Sequence, residues 1–71
     1  MMTLRDMLDA GITIQGTGRI AASGYGGRND SFYFQNEDDL AAYQIPEDML
    51  DMEVMYIFSD ENGLNIEVRE E

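Results

Sequence analysis

The side chains of this chain that can do chemistry are almost all carboxylates. Its 71 residues hold 15 Asp and Glu against four Arg, with no Lys, His or Cys. Paired carboxylates serve as acid and base or as Mg²⁺ ligands. Three groups have suitable spacing: Asp38 with Asp39, Glu47 with Asp48 and Asp51, and Asp60 with Glu61. Without His, Cys or Lys, a nucleophile–base constellation has few members left. A cleft deep enough to shift carboxylate pKa values is hard to build in so short a chain. Thiol chemistry, disulfides and Cys/His zinc sites are excluded outright. The chain is therefore read as a non-enzyme, with no catalytic residue, metal ligand or cofactor expected.

Two short motifs fail on inspection. Gly16-Thr17-Gly18-Arg19-Ile20-Ala21 fits G-x-G-x-x-A, the first half of a dinucleotide fingerprint. That fingerprint needs a helix to start there, inside a longer βαβ unit. Gly24, Gly26 and Gly27 would end any such helix almost at once, so a glycine-bent strand is the better reading. Asp60-Glu61-Asn62-Gly63 suggests a calcium loop, but Phe58 and Arg69 then stand at the first and twelfth positions, where carboxylates belong. A hairpin turn is the reading that remains.

The charge is uneven. Residues 1–29 carry three Arg and two Asp, a balance of +1. Residues 30–71 carry thirteen acids and one Arg, a balance of −12, within a net charge of −11. This half is also rich in aromatic and β-branched residues, from Phe32 to Val68, which disordered acidic tails lack. It reads as a folded domain with an acidic surface. Self-repulsion costs stability, so the charge needs a reason. One is solubility. The other is phosphate mimicry: a duplex carries one negative charge per ~1.7 Å of axis, and its protein sites are lined with Lys and Arg. A rigid carboxylate array suits such a site and gains steering and ion release there. The candidate contacts are Glu37, Asp38, Asp39, Glu47, Asp48, Asp51 and Glu53, with Tyr25 as an aromatic anchor. The expected partner is a basic, nucleic-acid-binding protein. Direct binding to nucleic acid or to an anionic membrane is disfavoured by like charge. No apolar run approaches the ~18 residues of a spanning helix and no signal-peptide pattern opens the sequence, so a cytoplasmic location is expected.

These residues need elements to position them. Thr3 and Asp6 have capping-box spacing, Leu4, Met7 and Leu8 share a helical face, and Gly11 supplies the stop. A short helix over residues 4–10 follows. Residues 12–22 alternate as a strand, with Ile12, Ile14, Ile20 and Ala22 on the inner parity. Gly16 and Gly18 share that parity and suggest a bend, a bulge or close backbone contact. A glycine-rich loop, residues 24–30, leads to a strand at Ser31–Gln35. Residues 36–43 read as a polar connection with a helical turn, its acidic start suited to a helix N-terminus. A second turn follows with Pro46 at its first helical position. Val54–Phe58 is apolar on both parities and reads as buried on both faces, or central. After the Asn62-Gly63 turn, Leu64, Ile66 and Val68 alternate with Asn65, Glu67 and Arg69 in a half-exposed strand. The expected fold is one α+β domain over residues 1–71, a short N-terminal helix on a four-stranded antiparallel sheet in the order α-β-β-(turn or helix)-β-β. A chain of this size buries only roughly 60% of its unfolded surface, so its stability is marginal unless a second copy or a partner helps.

Two segments carry a resemblance. Thr3-Leu4-Arg5-Asp6-Met7-Leu8-Asp9-Ala10-Gly11-Ile12-Thr13-Ile14-Gln15-Gly16 is one, and the run from Ile45-Pro46-Glu47-Asp48-Met49-Leu50 through Asp51-Met52-Glu53-Val54-Met55-Tyr56-Ile57-Phe58 is the other. Together they cover about half of the chain and resemble small acidic proteins carried on phages and mobile elements of gut bacteria. Some small acidic proteins of such elements are anti-CRISPR or anti-restriction inhibitors, several acting by DNA mimicry. The resemblance implies an inhibitor and transfers no functional residue. The alternative is a small assembly module, a homodimer among the options, using sheet edges and Met49, Met52 and Met55. Met is adaptable at promiscuous surfaces, but these three are read first as packing beneath the sheet.

Overall fold

A computed structural model describes residues 1–23 and 29–70. Helix α1 (Leu4–Asp9) forms where the capping signals stand. The Thr3 hydroxyl accepts the Asp6 N–H at 3.1 Å and the Asp6 carboxylate accepts the Thr3 N–H at 3.0 Å. At the other end Gly11 takes φ +93°, a left-handed conformation. That turn lets the Gly11 N–H reach the Leu8 carbonyl at 3.1 Å and the Ile12 N–H reach the Met7 carbonyl at 3.1 Å. This pair of bonds is the Schellman termination. Six residues are too few for a stable isolated helix. Leu4 and Met7 hold it by burial in the core.

Four strands follow: β1 (Gly16–Ser23), β2 (Asn29–Asn36), β3 (Glu53–Asp60) and β4 (Gly63–Arg69). Between β2 and β3 lie a 3₁₀ turn, η1 (Ala42–Gln44), and a short helix, α2 (Glu47–Leu50). The α+β class and element order are as the sequence implied, and both hairpins share one sheet. The pairing is different. The spatial order is β2-β1-β4-β3, and β1 runs parallel to β4, with Ile20 opposite Ile66. The expected all-antiparallel sheet is thus a mixed one.

The mixed order sets the course of the connection over residues 37–52. The strand directions make β2 and β3 parallel to each other at opposite edges, so the chain must cross the sheet in width and in length. Three strand spacings make that width about 14 Å, and such a crossover needs a dozen residues or more. Leu40, Ile45, Met49, Leu50 and Met52 are all buried along it. The connection is therefore the lid of the core. It packs with α1 over the face formed by Ile20, Ala22, Phe34, Ile66 and Val68.

Four local expectations are corrected. Strand β1 starts at Gly16, not Ile12, because Gly16 adopts φ +86° and turns the chain away from the sheet. Ile14 still reaches the core, whereas Ile12 is exposed. The acids 37–39 open no helix, since the turn begins only at Ala42, and Pro46 stands at the N-cap of α2, one place earlier than expected. Strand β3 is not central. It lies at an edge, with Tyr56, Ile57 and Phe58 exposed. Its apolar residues occupy both parities because a β-bulge between Val54 and Tyr56 reverses the alternation. Val54 opposes Val68 and Ile57 opposes Ile66 on the core side, while Tyr56 and Phe58 point to the open side.

Candidate functional site

The crossing segment sorts its residues by side. Leu40, Ile45, Met49 and Leu50 face the sheet, and Glu37, Asp38, Asp39, Glu47, Asp48 and Asp51 are exposed. The six carboxylates are thereby strung over the outer surface of the lid, from the β2 edge toward the β3 edge. No Lys or Arg occurs between Arg28 and Arg69, so the segment itself has one sign. Glu53, the seventh sequence candidate, opens β3 and is half-buried on the other side of the sheet. It faces Arg69 across the ladder, Nη2 to Oε1 3.2 Å. Tyr25 lies outside the described residues, as does most of the glycine-rich loop.

Several bonds stiffen the first part of the array. The Leu40 N–H donates to the Ile14 carbonyl at 2.7 Å, and the Gln15 amide donates to the Asp39 carboxylate. The Gln44 side-chain oxygen accepts the Ala41 N–H at 2.8 Å and the Asn36 amide at 3.3 Å. Glu37, Asp38 and Asp39 line a shallow depression of about 450 Å³ together with Tyr43, which is 89% exposed. Tyr43 is an exposed aromatic residue beside these acids that sequence reasoning did not single out. Its only signal was an aromatic ring set between the small or polar Ala42 and Gln44.

At the far end, Asp51 is held by α1. Arg5 Nε donates to Oδ1 at 2.9 Å and Nη2 to Oδ2 at 3.4 Å. The Arg5 hydrogen bond lowers the Asp51 pKa below the ordinary carboxylate value. A carboxyl lowered on folding adds stability above its unfolded pKa and loses it as pH falls through the folded one. In Arg5→Gln the Asp51 titration should move up toward the ordinary value. Any stability gap from the parent should close at acid pH. Carboxyl-detected NMR titration of Asp51 reads this directly, and an unmoved Asp51 would contradict the pairing. Both groups are exposed, so the stability effect itself is small and screened by salt.

Among the described residues no helix covers the opposite face of the sheet. Arg19 sits near its middle, and its Nε donates at 2.6 Å to the amide oxygen of the buried Asn65. Asn65 in turn donates to the Gly63 carbonyl at 3.3 Å. Tyr33, Gln35, Thr17 and Asp60 complete a groove of about 510 Å³ around them. Of the three methionines weighed as contacts of an assembly surface, Met49 and Met52 are buried and Met55 is half-buried. Met49 and Met52 pack in the core beneath the sheet and are removed from the contacts of an assembly surface, while Met55 lies at the bulge of β3.

Among the described residues no three carboxylates converge as a metal site, and no helix is long and apolar enough to cross a membrane. No family model matches the chain, and neither a curated protein nor a solved structure is found to match it.

Proposed function

We propose that this chain is a non-enzymatic inhibitor that occupies the basic groove of a nuclease or other DNA- or RNA-binding protein by phosphate mimicry. The observation that carries the reading is the acidic outer surface of the lid, a segment without Lys or Arg that meets a cation of α1 at Asp51. Glu37, Asp38, Asp39, Glu47, Asp48 and Asp51 are exposed on it, over a segment anchored inward by five buried apolar residues. Anchoring matters, because a mimic gains from carboxylates already held in place: less side-chain and loop ordering is lost on binding. A groove built for phosphates releases its bound anions and attracts the array at long range. The exposed Tyr43 beside Glu37–Asp39 supplies an aromatic contact of the kind enriched at interface centres.

The test is retention of purified basic nucleic-acid-binding proteins on the immobilised chain, with duplex DNA and salt as competitors. A retained protein should be released by moderate salt and by duplex DNA at concentrations that saturate its own site. Retention indifferent to both would overturn the mimic. It would favour the assembly reading, which the exposed β3 edge supports.

A further inference from the structure

The lid leaves one part of the molecule without an account. Met2, Tyr56, Ile57 and Phe58 are all large, apolar and exposed, and they lie along one sheet edge. Natural edges are blunted by Lys, Pro, a β-bulge or a covering element, and the bulge of β3 lies between Val54 and Tyr56, ahead of these exposed residues. Strand β3 contains neither Lys nor Pro. Its one described cover is the chain's own N-terminus: Thr3 bridges Glu53, and the Val54 N–H donates to the Met2 carbonyl at 2.9 Å. That short antiparallel addition stops at the bulge, beyond which Tyr56–Asp60 have a ladder partner on the β4 side alone among the described residues.

We propose that the β3 edge from Met55 to Asp60 is a second binding surface, and that it takes an extended, basic segment of a partner protein as an added strand. At Glu53 and Val54, just ahead of the bulge, the N-terminal residues already pair with this strand on its outer side. Strand addition draws affinity from main-chain bonds and specificity from alternate side chains. The charge selects the occupant. Asp60 and Glu61 close the edge at the hairpin, Glu67 stands opposite Tyr56, and β3 holds no Arg. A strand with Lys or Arg across from the turn and aliphatic residues across from Tyr56–Phe58 is complementary. A second copy of the chain is not, because it brings its own Asp60 and Glu61 to the same short edge within a dimer of doubled negative charge. This surface is separate from the acidic lid and does not rest on the mimicry reading.

The probe is a short synthetic peptide alternating Lys or Arg with Val, titrated into the isotope-labelled full chain and followed by amide NMR. The expected result is shifts centred on Met55–Asp60, with affinity about tenfold weaker for the same peptide carrying a central proline. Tyr56→Thr/Phe58→Thr should weaken binding by a similar factor, and Glu61→Lys should weaken it with reduced salt dependence. These variants alter exposed side chains, and their amide spectra report whether the fold is kept. Glu37→Lys/Asp38→Lys should leave the edge shifts unchanged, which separates this surface from the lid. Shifts confined to residues 37–51, or equal binding of the proline peptide, would overturn the proposal. So would a dimer by sedimentation whose dilution moves the Met55–Asp60 amides, since the second copy would then be the occupant.

Discussion

Gly18→Ala is expected to destabilise the fold by about 3 kcal/mol, at the upper end of what overpacking costs. A Cβ on Gly18 would collide with the Leu64 carbonyl oxygen and meet the Phe34 ring at 2.8 Å. The ring can turn aside. The carbonyl belongs to the backbone of β4, which is bound on its other side by β3. Relief therefore requires moving the central strand pair. A core of this size seldom supplies more than ~3–5 kcal/mol, so the variant should be largely unfolded or nearly so. Gly11→Ala is the natural comparison. Nothing lies within 4 Å of its Cβ position, so only the φ of +93° opposes the exchange, at a cost of about 1 kcal/mol. Urea unfolding at constant m reads both. If the two variants cost the same, the close parallel pairing of β1 on β4 would be in error.

Reversing Glu37→Lys and Asp38→Lys should have the largest effect on binding to a basic groove. Both residues are exposed at the start of the lid, and among the described residues neither side chain is tied into the fold by a hydrogen bond, unlike Asp39, which accepts from Gln15, or Asp51, which accepts from Arg5. Stability should change little and is expected to improve slightly, since self-repulsion in a chain of net charge −11 falls. Affinity should drop about 100-fold, because two attractive contacts become repulsive against Lys and Arg. By the logic of ion release, the slope of log affinity against log salt should flatten by about two. Calorimetry or polarisation at several salt concentrations measures both quantities. An unchanged slope would mean that the lid is a solubilising surface.

The distance between sequence and structure is instructive at particular residues. Thr3, Asp6 and Gly11 were legible because capping is local: donor and acceptor are three residues apart, and the stop needs one backbone conformation. The inner faces of β1 from Gly18 onward and of β4 were legible for the same reason, since alternation places Ile20, Ala22, Ile66 and Val68 on one side whatever the partner strand. The carboxylates of the lid were legible as residues, though not as a surface. Buried Leu40, Ile45, Met49 and Leu50 between them turn a list of acids into a sided array. Strand β3 misled because a single bulge at Met55 produces the same apolar pattern on both parities as a strand buried on two faces.

Composition and local pattern by themselves determined the α+β class, the order of elements, the helix ends, the acidic half and the exclusion of thiol and Cys/His chemistry. These depend on residue type and on neighbours a few positions away. Tertiary structure alone decided that β1 and β4 are parallel, that β3 is an edge, and that residues 37–52 close the core with their acids outward. The reason is that strand order is a matter of which surfaces can be buried together. The two hairpins could share a sheet in several ways. Placing β1 beside β4 brings Ile20 against Ile66 and Ala22 against Val68 in one core. Only then must the chain cross from one edge to the other, carrying its carboxylates across the outside.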